Sequence, residues 1–135
     1  MGKLGLVKSQ LEKAEERLEA ANYLLEGKYY EDVVNRAYYS MYYAAKAILT
    51  LKNVEPKTHE GVLSMFGLHA IRESDVDEYY GKALRFAKEE REKSDYDVLA
   101  KITEEEAESI VEDAERFLVR IKEAINEIQK KLDEK

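Results

Sequence analysis

The chain contains no cysteine and no tryptophan. Without a thiol it has no Cys-based zinc site, no thiolate nucleophile and no redox switch. One proline and six glycines in 135 residues are too few for a turn-rich β fold and favour long helices. No window approaches the roughly 18 consecutive apolar residues of a membrane span, and Met1 to Val7 carry no apolar signal segment. The expected location is therefore cytoplasmic, with no membrane association. Positive charge is also short. The 22 Lys and Arg are outnumbered by 29 Asp and Glu, for a net charge of −7, which argues against indiscriminate coating of nucleic acid. The deficit is uneven, however. Residues 1–57 hold nine basic and eight acidic side chains, whereas residues 104–135 hold six and eleven. A polyanion meets least repulsion on the N-terminal segments.

What is present is helical periodicity. The expected fold class is all-α: one domain over residues 1–135, with a core of about 7–131, built as an up-down antiparallel bundle of four long helices and one short one. Leu11, Ala14, Leu18, Ala21 and Leu25 form one stripe on a first helix from about Val7 to Glu26. Gly27 offers a left-handed stop there. A second helix, about Tyr30 to Leu51, carries Val34, Tyr38, Met41, Ala45 and Ile48 on its core side. Pro56 closes the next loop, and Thr58 caps a shorter helix to about Ile71. Ser74, with Asp77 three residues on, suggests the cap of a fourth helix to about Lys93. Thr103-Glu104-Glu105-Glu106 is a capping box opening the last helix, whose stripe is Ile110, Ala114, Phe117, Ile121, Ile125 and Ile128.

Six of the ten tyrosines fall between Tyr29 and Tyr43. Tyr38-Tyr39 and Tyr42-Tyr43 recur four residues apart, and neighbours on a helix differ by about 100° around its axis. The four rings cannot all face one core, so some belong at a boundary, where the ring packs and the hydroxyl meets water or a partner. Arg36 and Tyr43 are seven residues apart, nearly in line and about 10 Å apart along the axis. Tyr39 and Ser40 lie between them. A guanidinium beside hydroxyls suits a phosphate; equally, Arg36 suits an ion pair with an acid of the first helix.

Lys57, Thr58 and His59 at a helix start form either a capped surface turn or an anion site. Arg91 and Asp95, four apart, read as a helix-end ion pair or as part of the arginine site. His69 reads as a boundary residue. No His-x-x-x-His spacing, glycine-rich phosphate loop, G-x-S-x-G or DNA-binding motif is present, so neither a metal nor a cofactor is expected.

Asn35 to Leu49, Lys57-Thr58-His59-Glu60-Gly61 and Arg91 to Asp97 together resemble the HEPN family (higher eukaryotes and prokaryotes nucleotide-binding domain), in its small stand-alone members. The resemblance spans roughly residues 10–125. It implies a helical bundle that dimerises, often encoded beside a minimal nucleotidyltransferase in toxin–antitoxin or defence pairs. Active members are metal-independent ribonucleases with an arginine followed, after four to six residues, by a histidine. Here Arg36 matches the arginine, but positions 41 to 43 are Met, Tyr and Tyr. In one register Tyr43 replaces the histidine. A phenol of pKa about 10 is ionised to roughly one part in a thousand at pH 7, which makes it a poor base. In the other register Met41 replaces the histidine, and Tyr43 matches a tyrosine that the partner nucleotidyltransferase adenylylates.

Three functions fit these residues. The first is a dimeric module binding RNA, a nucleotide or a nucleotidyltransferase through Arg36, Tyr39, Ser40, Tyr43, Lys57, His59, Arg91 and Asp95. The second is a ribonuclease using Arg36 and Tyr43, or one whose imidazole has moved to His59. The third is a dimeric helical scaffold.

Overall fold

The computed structural model describes residues 2–134. Five α-helices account for most of them: α1 (Lys3–Glu26), α2 (Tyr30–Leu51), α3 (His59–Phe66), α4 (Glu78–Tyr96) and α5 (Glu104–Asp133). No strand occurs among the described residues. The all-α bundle of four long helices and one short one is therefore the observed architecture. None of these helices is long and apolar enough to cross a membrane.

The apolar stripes become the core. Val34, Tyr38, Met41, Ala45 and Ile48 are completely buried, as are Ala14, Ala21, Ala114, Phe117 and Ile121. Helix α2 is the central element, packed against α1, α3, α4 and α5. Lys3 reaches the Leu51 carbonyl, while Ser40 donates to the Ala14 carbonyl at 2.8 Å. Residues 3 and 51, then 14 and 40, come together in opposite order, which makes α1 and α2 an antiparallel hairpin. Across the bundle Lys122 of α5 pairs with Glu15 of α1, and Tyr79 of α4 donates to Asp113 of α5 at 2.5 Å.

Local chemistry sets the helix starts. Thr58 accepts the Gly61 N–H, and Thr103 and Glu106 complete the reciprocal capping box. Several boundaries differ from expectation, beginning with α1, which starts at Lys3 rather than near Val7. Lys28, not Gly27, takes the left-handed conformation after α1 (φ 65°), because Gly27 is still helical at φ −79°. Asp77 alone caps α4, accepting from Tyr79 N, while Ser74 sits in the preceding turn at φ 64°. Helix α4 also runs one turn further than its apolar pattern suggests, to Tyr96.

Helix α3 continues into a π-helical turn, Gly67–Ile71. Lys52 at the end of α2 holds this turn by donating to the His69 carbonyl and pairing with Glu73 and Asp75. Ile71 then lies over Gly81 of α4, where a Cβ would come within 2.5 Å of its Cδ1. A larger residue there would have to displace the Ile71 methyl. The far end of α3 is thus tied to α2 and α4, while Thr58 closes the first turn, where His59 lies.

Candidate functional site

Around α2, one helical turn places Tyr38, Tyr39 and Tyr42 toward α3 and α4. Tyr38 is fully buried and Tyr42 nearly so, while Tyr39 and Tyr43 are half-buried. The rings satisfy one another: Tyr38 meets Tyr39 edge-on at 5.1 Å, and Tyr42 meets Tyr43 at 5.4 Å. The surplus of tyrosine is thus absorbed largely within one chain. His59 closes this cluster. Its imidazole stacks on Tyr42 at 4.4 Å between centroids, and its Nδ1 lies 2.7 Å from the Tyr38 hydroxyl oxygen.

Arg91 of α4 lies over Tyr38 and Tyr39, at 5.2 and 5.5 Å from their centroids, and donates to the Tyr39 hydroxyl at 3.0 Å. Its contact with exposed Asp95 is loose, at 4.0 Å. Its Nε is buried with no partner among the described residues. Lys46 stands 5.5 Å from the Tyr42 ring, and Lys13 of α1 stands 5.5 Å from the Tyr43 ring. These cation–π contacts hold positive charge along the tyrosine face without neutralising it.

The electrostatics follow from this crowding. Burial is the largest effect on His59, and the charges of Arg91, Lys88 and Lys46 add to it, lowering its pKa below the ordinary histidine value. Glu92 opposes that shift but is itself paired with Lys88 at 2.5 Å. Burial also pushes the Tyr38 phenol well above its ordinary value, although Arg91 pulls the other way. At neutral pH the site therefore holds a neutral imidazole, a protonated phenol and a cationic rim.

Of the residues singled out in the sequence, His59, Arg91 and Tyr39 come together. Arg36 and Tyr43 share the adjoining face of α2, Arg36 exposed and Tyr43 half-buried. Arg36 has no hydrogen bond or ion pair among the described residues, and it does not join His59. Of its two sequence readings, pairing with an acid of α1 is thus not what the structure displays. Ser40 turns the other way, buried against α1 by its bond to the Ala14 carbonyl. Lys57 is exposed on the wall of a cavity of about 300 Å³, shared with Gln10, Lys46, Thr50 and Val54. His69 borders Glu73 at 3.3 Å, away from the tyrosines.

Sequence reasoning missed Tyr38 and Tyr42 as partners of the imidazole, and it missed Lys13, Lys46 and Lys88. Lys46 was visible as the i+4 neighbour of Tyr42. Nothing local signalled Lys13 or Lys88.

A family model described as HEPN domain matches residues 7–125. The chain belongs to the HEPN family. This HEPN chain is 48% identical over 122 residues to a Methanocaldococcus jannaschii protein named “putative toxin”, covering 90% of each chain. A second protein of that archaeon carrying the “putative toxin” name is 39% identical over 116 residues, 83% of this chain and 76% of that one. A UPF0332 protein of Thermotoga maritima is 30% identical over 118 residues, 87% and 89% of the two chains.

Proposed function

We propose that this HEPN chain is the toxin-like half of a two-component pair, acts as a dimer, and is held in check by a minimal nucleotidyltransferase. Its own part is to bind single-stranded RNA along the tyrosine face of α2. The observation that carries this reading is a strip of cations on an aromatic face that form no ion pair among the described residues, although Glu55 lines the same cavity as Lys46 and Lys57. Arg36 begins it, Lys13 and Lys46 border Tyr43 and Tyr42, and Lys57 ends it beside the cavity. Between Arg36 and Leu51, α2 carries no acidic residue at all.

Arg36 to Thr50 spans about 21 Å of helix at 1.5 Å per residue. Phosphates interact with the cations, and the accessible part of the half-buried Tyr39 and Tyr43 rings offers bases a stacking platform, the combination that single-stranded nucleic acid requires. The acidic face of α5 lies elsewhere and repels a second strand. The relatives named as toxins support the role in a pair.

Fluorescence anisotropy with a labelled single-stranded RNA tests the reading. Wild type should bind with an affinity that falls as salt rises, and Arg36→Ala should weaken binding about tenfold by losing one charge-assisted contact. RNA that does not bind at low salt, or binds equally well to Arg36→Ala, overturns it.

A further inference from the structure

His59 and Arg91 form a second, distinct group next to the Arg36 strip, contributed by α3 and α4 rather than by α2. Tyr38 is completely buried, and its hydroxyl has one hydrogen-bond partner among the described residues, His59 Nδ1 at 2.7 Å. A buried hydroxyl that donates to nothing is costly, and this phenol stays protonated at neutral pH. Its proton is therefore given to Nδ1. The neutral imidazole must then carry its own hydrogen on Nε2.

Arg91 is similarly arranged. One terminal nitrogen is committed to the Tyr39 hydroxyl, which positions the planar guanidinium over the two rings. Its other terminal nitrogen has no partner among the described residues. Side chains facing the imidazole are Tyr38, Tyr39, Tyr42 and Lys46 of α2, with Lys88, Arg91 and Glu92 of α4. Glu60, next to His59 on α3, is paired with Arg85 at 2.9 Å and lies 3.7 Å from Lys88. The two neighbouring carboxylates are thus already engaged, and the imidazole edge has cations around it.

We infer that His59 Nε2–H and Arg91 make a phosphodiester-binding site, in which Tyr38 is the positioning residue that keeps His59 a hydrogen-bond donor. The proposal deepens the RNA-binding reading, since it names the group that grips one phosphate of the strand. It also separates binding from cleavage. A general base needs a free lone pair, and the lone pair of His59 is occupied by the Tyr38 proton. With no histidine on α2, the phosphate is held and the 2′-hydroxyl is left intact.

Two measurements test this. Long-range ¹H–¹⁵N NMR on the free protein at pH 7.5 should find His59 with its proton on Nε2 and a hydrogen-bonded Nδ1, and Tyr38→Phe should abolish the Nδ1 signature. Inorganic phosphate should then shift the His59 and Arg91 side-chain resonances. With single-stranded RNA, His59→Gln, whose amide N–H reaches the Nε2 position, should retain affinity within about threefold. His59→Asn, whose amide reaches only the Nδ1 position, should lose about tenfold. A proton on Nδ1 overturns the inference, as does equal affinity in the Gln and Asn variants or cleavage of RNA that depends on His59. The failures are separable. A phosphate response without RNA binding overturns the strip and retains this site; RNA binding that depends on Arg36 but ignores His59 does the reverse.

Discussion

His59 shows how a single side chain acquires a role that its position in the sequence does not announce. Its pKa is lowered by burial first and by Arg91, Lys88 and Lys46 next, so the folded protein binds a proton there less readily than the unfolded chain. Stability from this group is fully present above the ordinary histidine pKa of about 6.5 and is lost as pH falls through the lower folded value. Urea unfolding followed from pH 7.5 down to 5 should therefore show a falling midpoint. His59→Gln, which cannot titrate, should flatten that fall while the carboxylate contribution below pH 5 persists. An unchanged slope in this variant would place the pH dependence elsewhere. Ser40 makes the complementary point. Its hydroxyl lies between Arg36 and Tyr43 in sequence, yet about 40° of rotation around the helix from Arg36 is enough to deliver it to the Ala14 carbonyl instead.

Helix starts carry different weights for function. Thr103 caps the 30-residue α5 through a reciprocal box, and Thr58 caps the eight-residue α3 that begins with His59. Thr103→Ala should cost about 1 kcal/mol of stability and leave RNA affinity as it was, because α5 lies outside the binding face. Thr58→Ala should cost a similar amount and also weaken RNA binding, since the first turn that holds the imidazole on Tyr42 loosens. Urea denaturation and anisotropy on both variants separate the two effects. Equal RNA affinities would mean that the π-turn clamp at Lys52 positions α3 without help from its cap. The helices and these two caps were legible in sequence because each depends on residues within one or two turns. The Ser74 cap failed because it was not a local matter: the turn that brings Val76 into the core leaves Ser74 at φ 64° and gives the capping to Asp77.

For the whole molecule, the tyrosines of α2 offer little surface for self-association, since Tyr38 and Tyr42 are covered within the chain. Among the described residues, Val98 and Leu99 between α4 and α5 are the most exposed aliphatic side chains, at 95% and 83%. A dimer should be seen by analytical ultracentrifugation at ~100 μM, an affinity of only about −5.5 kcal/mol, and Leu99→Asp should shift it toward monomer. A chain that is monomeric throughout that range would remove the dimer from the proposed function.

The amino-acid sequence by itself determined the helical class, the two threonine caps and the sharing of one face by Arg36 and Tyr43. Period, capping and angular spacing are local quantities, so a single stretch of chain contains them. Only the tertiary structure decided which imidazole and which guanidinium meet the tyrosines. Tyr38 and His59 are 21 residues apart and Tyr39 and Arg91 are 52 apart; those pairs are made by packing α3 and α4 onto α2, and no spacing rule within one helix encodes where another helix will set its side chains.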